Sequence, residues 1–169
     1  MNATTPRMQE ILREGWEAAR KIGVITGRKI YGFPDNRMSR MDAVVVRDDT
    51  GQVTSMMEIK NRDITEERFK DYNMELRVGL DKLMASYQMA SVNQVGHYYM
   101  AFLRGSNVAY LQQVFYRDDS EGYKKPIPAA PIRITVERSD VECGSSRKWD
   151  EPFAYIGFGS ARRFDLKNF

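Results

Sequence analysis

The chain carries, in order, a helix, three meandering strands, a second helix and further strands, which places it in the α/β or α+β class. Three observations predict this. Met8, Ile11, Leu12, Trp16 and Ala19 recur at helical spacing. Apolar runs over 41–47 and 52–60 flank Asp48-Asp49-Thr50-Gly51, a hairpin turn. Leu80, Leu83, Met84, Tyr87 and Ala90 fall on one helical face, and short apolar runs follow. At 169 residues, with 42% hydrophobic and 29% charged, the chain fits one soluble domain with a real core.

The first helix opens at Thr4 or Thr5, either able to cap it, with Pro6 in its first turn. Gly23 is expected to end it. A short strand over 29–33 closes on Pro34-Asp35-Asn36. The valine-rich run 41–47 and its partner 52–60 form the hairpin. Residues 61–71 read as irregular or a brief helix, and 73–78 as extended up to the break at Gly79. A helix over 80–92 precedes strands over 98–103 and 108–116, joined by Arg104-Gly105-Ser106-Asn107. Residues 124–131 hold three of the six prolines and read as a loop. Residues 132–137 alternate like an edge strand, and the last thirty show no clear period. No repeat and no linker suggests a second domain.

Charge and composition exclude some classes. The net charge of +3 is too small to argue for nucleic acid by itself. Its distribution says more. Residues 1–40 carry Arg7, Arg13, Arg20, Lys21, Arg28, Lys29, Arg37 and Arg40 against Glu10, Glu14, Glu17 and Asp35. No apolar stretch approaches a membrane span, and the polar N-terminal stretch carries no secretion signal. The one cysteine, Cys143, has no internal disulfide partner and no zinc-like neighbours. These features fit a reducing cytoplasm.

The chemistry concentrates in Asp42, which opens the first apolar run, and in Glu58-Ile59-Lys60 in the second. Side chains alternate along a strand, so Glu58 and Lys60 share one face and Met57 and Ile59 the other. Two charges in the middle of an apolar strand must be paired, solvated or bound to an ion. Hairpin register can bring Asp42 beside Glu58. Two carboxylates suit Mg²⁺, which completes its shell with water and substrate phosphate. The Ile59 carbonyl is a further candidate ligand, and Lys60 could position or activate a water.

The set of a glutamate-bearing helix, Asp42 heading a valine strand, an acidic-Gly turn, Glu58-Ile59-Lys60 and a following helix resembles the PD-(D/E)xK nuclease superfamily. The resemblance covers about residues 6–115, with 116–169 as a C-terminal extension of the same domain. It implies an α/β fold with a restriction-endonuclease-like αβββαβ core, a central mixed sheet flanked by helices. It implies Asp42 and Glu58 as Mg²⁺ ligands, with Mn²⁺ able to substitute, and Lys60 as the catalytic lysine. It also implies a glutamate on the first helix, with Glu17 preferred over Glu14 and Glu10, and a Lys or Gln on the helix after the motif, with Lys82 preferred over Gln88. The proline of the family motif is absent, since Arg40-Met41 precedes Asp42.

The expected activity is hydrolysis of DNA phosphodiesters, as an endonuclease, because little lies beyond the core to encircle DNA. RNA stays open as a substrate. A retained fold without catalysis, binding nucleic acid only, is the alternative. Arg28, Lys29, Arg37 and Arg40 before Asp42, and Arg62 and Arg68 after Lys60, are the expected phosphate contacts. Cutting both strands calls for two sites, which a homodimer supplies. So compact a nuclease fits a phage origin, acting in the host cytoplasm. His97, the only histidine, has no catalytic partner close in sequence and reads as structural.

Overall fold

The computed structural model describes residues 5–32, 41–117, 126–138 and 150–169. Thr4, Phe33, Pro34, Asp35, Asn36, Arg37, Arg40, Cys143 and residues 124–125 of the expected loop lie outside the described residues.

Helix α1 spans Pro6–Thr26, and the Thr5 side chain accepts the Met8 N–H. It runs past Gly23 and stops at Gly27, which takes the left-handed φ of 64° that a terminating residue needs. Gly23 serves another purpose: a Cβ there would stand 2.8 Å from the Arg28 carbonyl oxygen. The packed stripe matches the expected one only in part, at Ala19 and Trp16. Gly15, Ala18, Ala19, Ile22 and Gly23 are buried, whereas Met8 and Leu12 are exposed. Small side chains let the helix lie close to the sheet.

Strands β1 (Arg28–Gly32), β2 (Ala43–Arg47) and β3 (Val53–Arg62) form the antiparallel meander. Gly51, at φ 67°, closes the β2–β3 turn by donating its N–H to the Arg47 carbonyl. β3 continues through Asn61 and Arg62, expected to be irregular, because its neighbour pairs with it to that point. The chain then forms α2 (Glu66–Asp71), β4 (Glu75–Gly79) and α3 (Leu80–Asn93) before returning as β5 (Gly96–Leu103), parallel to β3. β6 (Val108–Arg117) is antiparallel to β5. β7 (Pro126–Pro128) forms a short strand on β6 where a loop was expected. After β8 (Ile132–Arg138), the poorly patterned C-terminal stretch supplies β9 (Asp150–Gly157) and β10 (Arg162–Asp165).

The main sheet is mixed and ordered β1-β2-β3-β5-β6-β10, and a second, antiparallel sheet is ordered β4-β9-β8. The architecture is thus α/β with a central mixed sheet and helices. β5 sorts its side chains to two cores. Met100 and Phe102 pack with Ala18, Ala19 and Ile22 of α1. Tyr99, Ala101 and Leu103 pack with Leu83 of α3 and with Leu76, Val78, Ala154 and Ile156 of the second sheet. No helix among the described residues is long and apolar enough to cross a membrane.

Glu66 ties three elements together. It accepts Arg163 through both oxygens, at 2.7 and 2.8 Å, and the Tyr110 hydroxyl, while its own N–H donates to Ser106 Oγ. The Arg163 guanidinium, foremost, holds its carboxyl down to about 2. Such a group adds stability above the unfolded carboxylate range that is lost as pH falls towards 2. Glu66→Gln should therefore lose about 3 kcal/mol in urea unfolding at pH 7. The deficit should shrink towards pH 3. A pH-independent deficit would show that packing, not charge, is responsible.

Candidate metal and phosphodiester site

The alternation of β3 decides where its charges go. Met57 and Ile59 pack against the α1 core, so Glu58 and Lys60 face the other way, towards α3. Glu58 stands in register with Tyr99 of the parallel β5. It is 2% exposed, which is unusual for a carboxylate in a sheet interior. One oxygen, Oε1, accepts the Lys60 ammonium at 2.5 Å. The other, Oε2, is buried without a hydrogen-bond partner among the described residues. Leaving it so costs roughly 1–3 kcal/mol.

Asp42 sits just before β2. Ala43 and Val45 turn to the α1 core, so Asp42 shares the face of Glu58. Its Oδ2 accepts the Ile59 N–H at 2.7 Å, which fixes the carboxylate beside the middle of β3. In an extended strand the N–H and C=O of one residue point to the same side, so the Ile59 carbonyl also points towards Asp42.

Lys82 approaches from α3. Ser86 Oγ donates to the Lys82 carbonyl at 2.9 Å and lies 2.9 Å from the Tyr99 hydroxyl. Tyr99 thus anchors the first turn of α3 beside Glu58. Burial raises the Glu58 carboxyl above its ordinary value; the Lys60 ammonium opposes this, the Asp42 charge adds to it, and Lys82 opposes it more weakly. Burial, foremost, also raises the Tyr99 hydroxyl, so it stays protonated as a donor.

Asp42, Glu58, Lys60, Ile59 and Lys82 are therefore brought together. Glu17 is not. It lies on α1, which packs on the opposite face of the sheet, and pairs with Arg13 at 3.8 Å. Glu14 is taken by Arg104. Among the described residues, no hydrogen bond or ion pair joins Glu10, Glu14 or Glu17 to the cluster. Lys82, rather than Gln88, is the α3 residue whose charge acts on Glu58.

Among the described residues, four of the six expected phosphate contacts are placed, and none of the four is a free cation beside Glu58. Arg28 stands opposite Arg47, at the far end of β2 from Asp42, roughly 17 Å along the strand. Lys29 is paired with Asp48 at 2.6 Å. Arg62 is half-buried and donates to the carbonyls of Asn61 and Arg77, at 3.1 and 3.0 Å. It joins the two sheets rather than facing solvent. Arg68 lies on α2 over the Tyr72 ring. Arg37 and Arg40 are outside the described residues.

Sequence reasoning missed Tyr99 and Ser86. Neither has a local signal: Tyr99 reaches Glu58 only through parallel pairing across a long crossover. His97 is fully buried against Tyr99 and Phe115, with both ring nitrogens unpartnered among the described residues, and belongs to the core.

The donors suit a hard divalent cation. Two carboxylates, one with a buried oxygen lacking a partner, match the one or two that Mg²⁺ takes from protein. Among the described residues, no group of three or more His, Cys, Asp or Glu is placed to hold a metal, so the rest of the shell would come from water and substrate. No family model, curated protein or solved structure matches the chain.

Proposed function

We propose that the chain is a divalent-metal-dependent nuclease that hydrolyses DNA phosphodiester bonds, acting as an endonuclease. The observation that carries this reading is the unpartnered Glu58 Oε2, buried beside Asp42 and Lys60 on one face of the sheet. The order of α1, three antiparallel strands, then, after α2 and β4, α3 and parallel β5 supports a restriction-endonuclease-like core.

Asp42 and Glu58 would hold Mg²⁺, or Mn²⁺ in its place. The ion, when bound, lowers the pKa of a water and offsets charge on the scissile phosphate. The chain's own groups do the rest. The Ile59 N–H and the Lys60 ammonium keep both carboxylates oriented. Lys60, 22% exposed along its side chain, reaches the solvent side of the site, where it orients the attacking water and neutralises developing charge. Lys82 adds a second positive charge over Glu58.

Plasmid, linear, single-stranded and branched DNA should be incubated with the protein and Mg²⁺, Mn²⁺ or EDTA. Cleavage is expected with either metal and none with EDTA. Lys82→Ala should slow it by about tenfold and Lys60→Ala by at least a hundredfold. DNA binding without cleavage under every metal condition would replace this reading with a non-catalytic binding module.

A further inference from the structure

The second sheet ends in a strand whose residues are mostly exposed. β8 is the edge strand, and among the described residues no strand covers its outer side. The Gly157 N–H donates to the Pro131 carbonyl at 2.9 Å, which sets the alternation. The backbone groups of Arg133, Thr135 and Glu137 point to β9, and those of Ile132, Ile134, Val136 and Arg138 point outward. Val136 stands opposite Pro152, which has no N–H to offer. Ile134 and Val136 are 59% and 67% exposed, on the same face as buried Ala154 and Ile156. An edge with unpaired backbone groups and exposed apolar side chains is a template for another strand.

We propose that the partner is a second copy of this chain, bound through an antiparallel β8–β8 pair centred on Thr135. In that register Ile134 faces Val136 of the other copy, and Ile132 faces Arg138. All four outward-pointing residues then exchange backbone hydrogen bonds. Arg133 faces Glu137 of the other copy, so opposite charges meet on both sides of the two-fold axis. Centring the pair on Ile134 or Val136 sets Arg133 or Glu137 against Thr135 and loses this match. Arg133 already bonds Glu75 at 2.9 Å, and Glu137 lies 3.3 Å from Arg77. Pairing the copies extends these into a line of alternating charge: Glu75, Arg133, then Glu137 and Arg77 of the second copy. The two three-stranded sheets become one of six strands. The interface is independent of the nuclease reading, because it uses no residue of the Glu58 cluster and needs no DNA.

The test is sedimentation of the full chain at micromolar to submillimolar concentration, without DNA or metal. A dimer is expected. Ile134→Lys and Val136→Lys, both at exposed positions, should each raise the dissociation constant at least a hundredfold while leaving the circular dichroism spectrum unchanged. In a second arm, Thr135→Cys is made with Cys143→Ser. Facing Cα atoms at a non-hydrogen-bonded pair lie about 4.5 Å apart, within disulfide reach. Oxidation should give a covalent dimer, whereas Arg138→Cys in the same background should not. A monomer at every concentration, a dimer indifferent to both lysines, an open-ended assembly, or failure of Thr135→Cys to cross-link would each overturn the proposal.

Discussion

Glu58→Gln is expected to abolish metal-dependent cleavage, by about a thousandfold or more, while making the metal-free protein more stable at pH 8. The two effects share one cause. Burial raises the Glu58 carboxyl despite Lys60 and Lys82, so the folded protein binds that proton more tightly than the unfolded chain does. Stability from this group is fully present below the unfolded carboxylate range and is lost as pH rises through the raised folded value. At pH 8 the carboxylate is a net burden that a neutral amide removes. Lys60 is not stranded by the change, because its side chain is partly exposed. In a chain of this size each kcal/mol moves the melting temperature by about 2–4 °C, so thermal unfolding resolves the gain.

Metal should reverse the order. A ligand at one hundred times its dissociation constant stabilises by about 2.7 kcal/mol. Mg²⁺ should therefore raise the melting temperature of the wild type by several degrees and leave Glu58→Gln unmoved. A variant that is both less stable without metal and equally responsive to Mg²⁺ would assign Glu58 a purely structural role.

His97→Phe should remove much of the protein's sensitivity to mild acid. Burial pushes the imidazole down to about 3, and neither nitrogen finds a partner among the described residues. The unfolded chain takes up a proton near pH 6.5, but the folded chain refuses it until about 3. Stability therefore falls as pH drops through that window, by on the order of 4 kcal/mol from this residue alone. Phenylalanine keeps the ring contacts with Tyr99 and Phe115 and has nothing to titrate. Urea unfolding at pH 7, 5 and 4 should show the wild-type curve falling away from the variant. Parallel curves would mean that the imidazole accepts a proton inside the fold.

The elements with strong local periodicity were legible in the sequence. The meander, α3, β5 and β6 follow from alternation, turn chemistry and helical spacing. The start of α1 follows from Thr5 and Pro6, but its end does not. Gly23 and Gly27 look alike in sequence, and only contact with the Arg28 carbonyl distinguishes close approach from termination. β9 is the centre of the second sheet, yet its burial alternates weakly and Pro152 interrupts it, so its identity rests on long-range pairing with β4 and β8.

The site divides in the same way. Strand alternation suffices to put Glu58 and Lys60 on one face, whereas Asp42 joins them through a β2–β3 register that shifts between Val45 and Val46. Placing Lys82 requires the crossover that lays α3 over that face. Glu17 lies on an amphipathic helix whose apolar side could have met either face of the sheet. The small-residue stripe Gly15, Ala18, Ala19 chose the face away from Glu58. Arg62 shows why counting cations near a motif misleads. Two carbonyls and burial consume it before any phosphate could.

A crystal soaked with Mn²⁺, with data collected for anomalous scattering, should show one strong peak between Asp42 and Glu58 Oε2, lost in Glu58→Gln. A map with no peak there, from a crystal of protein that still cleaves DNA with Mn²⁺, would contradict the proposed metal site.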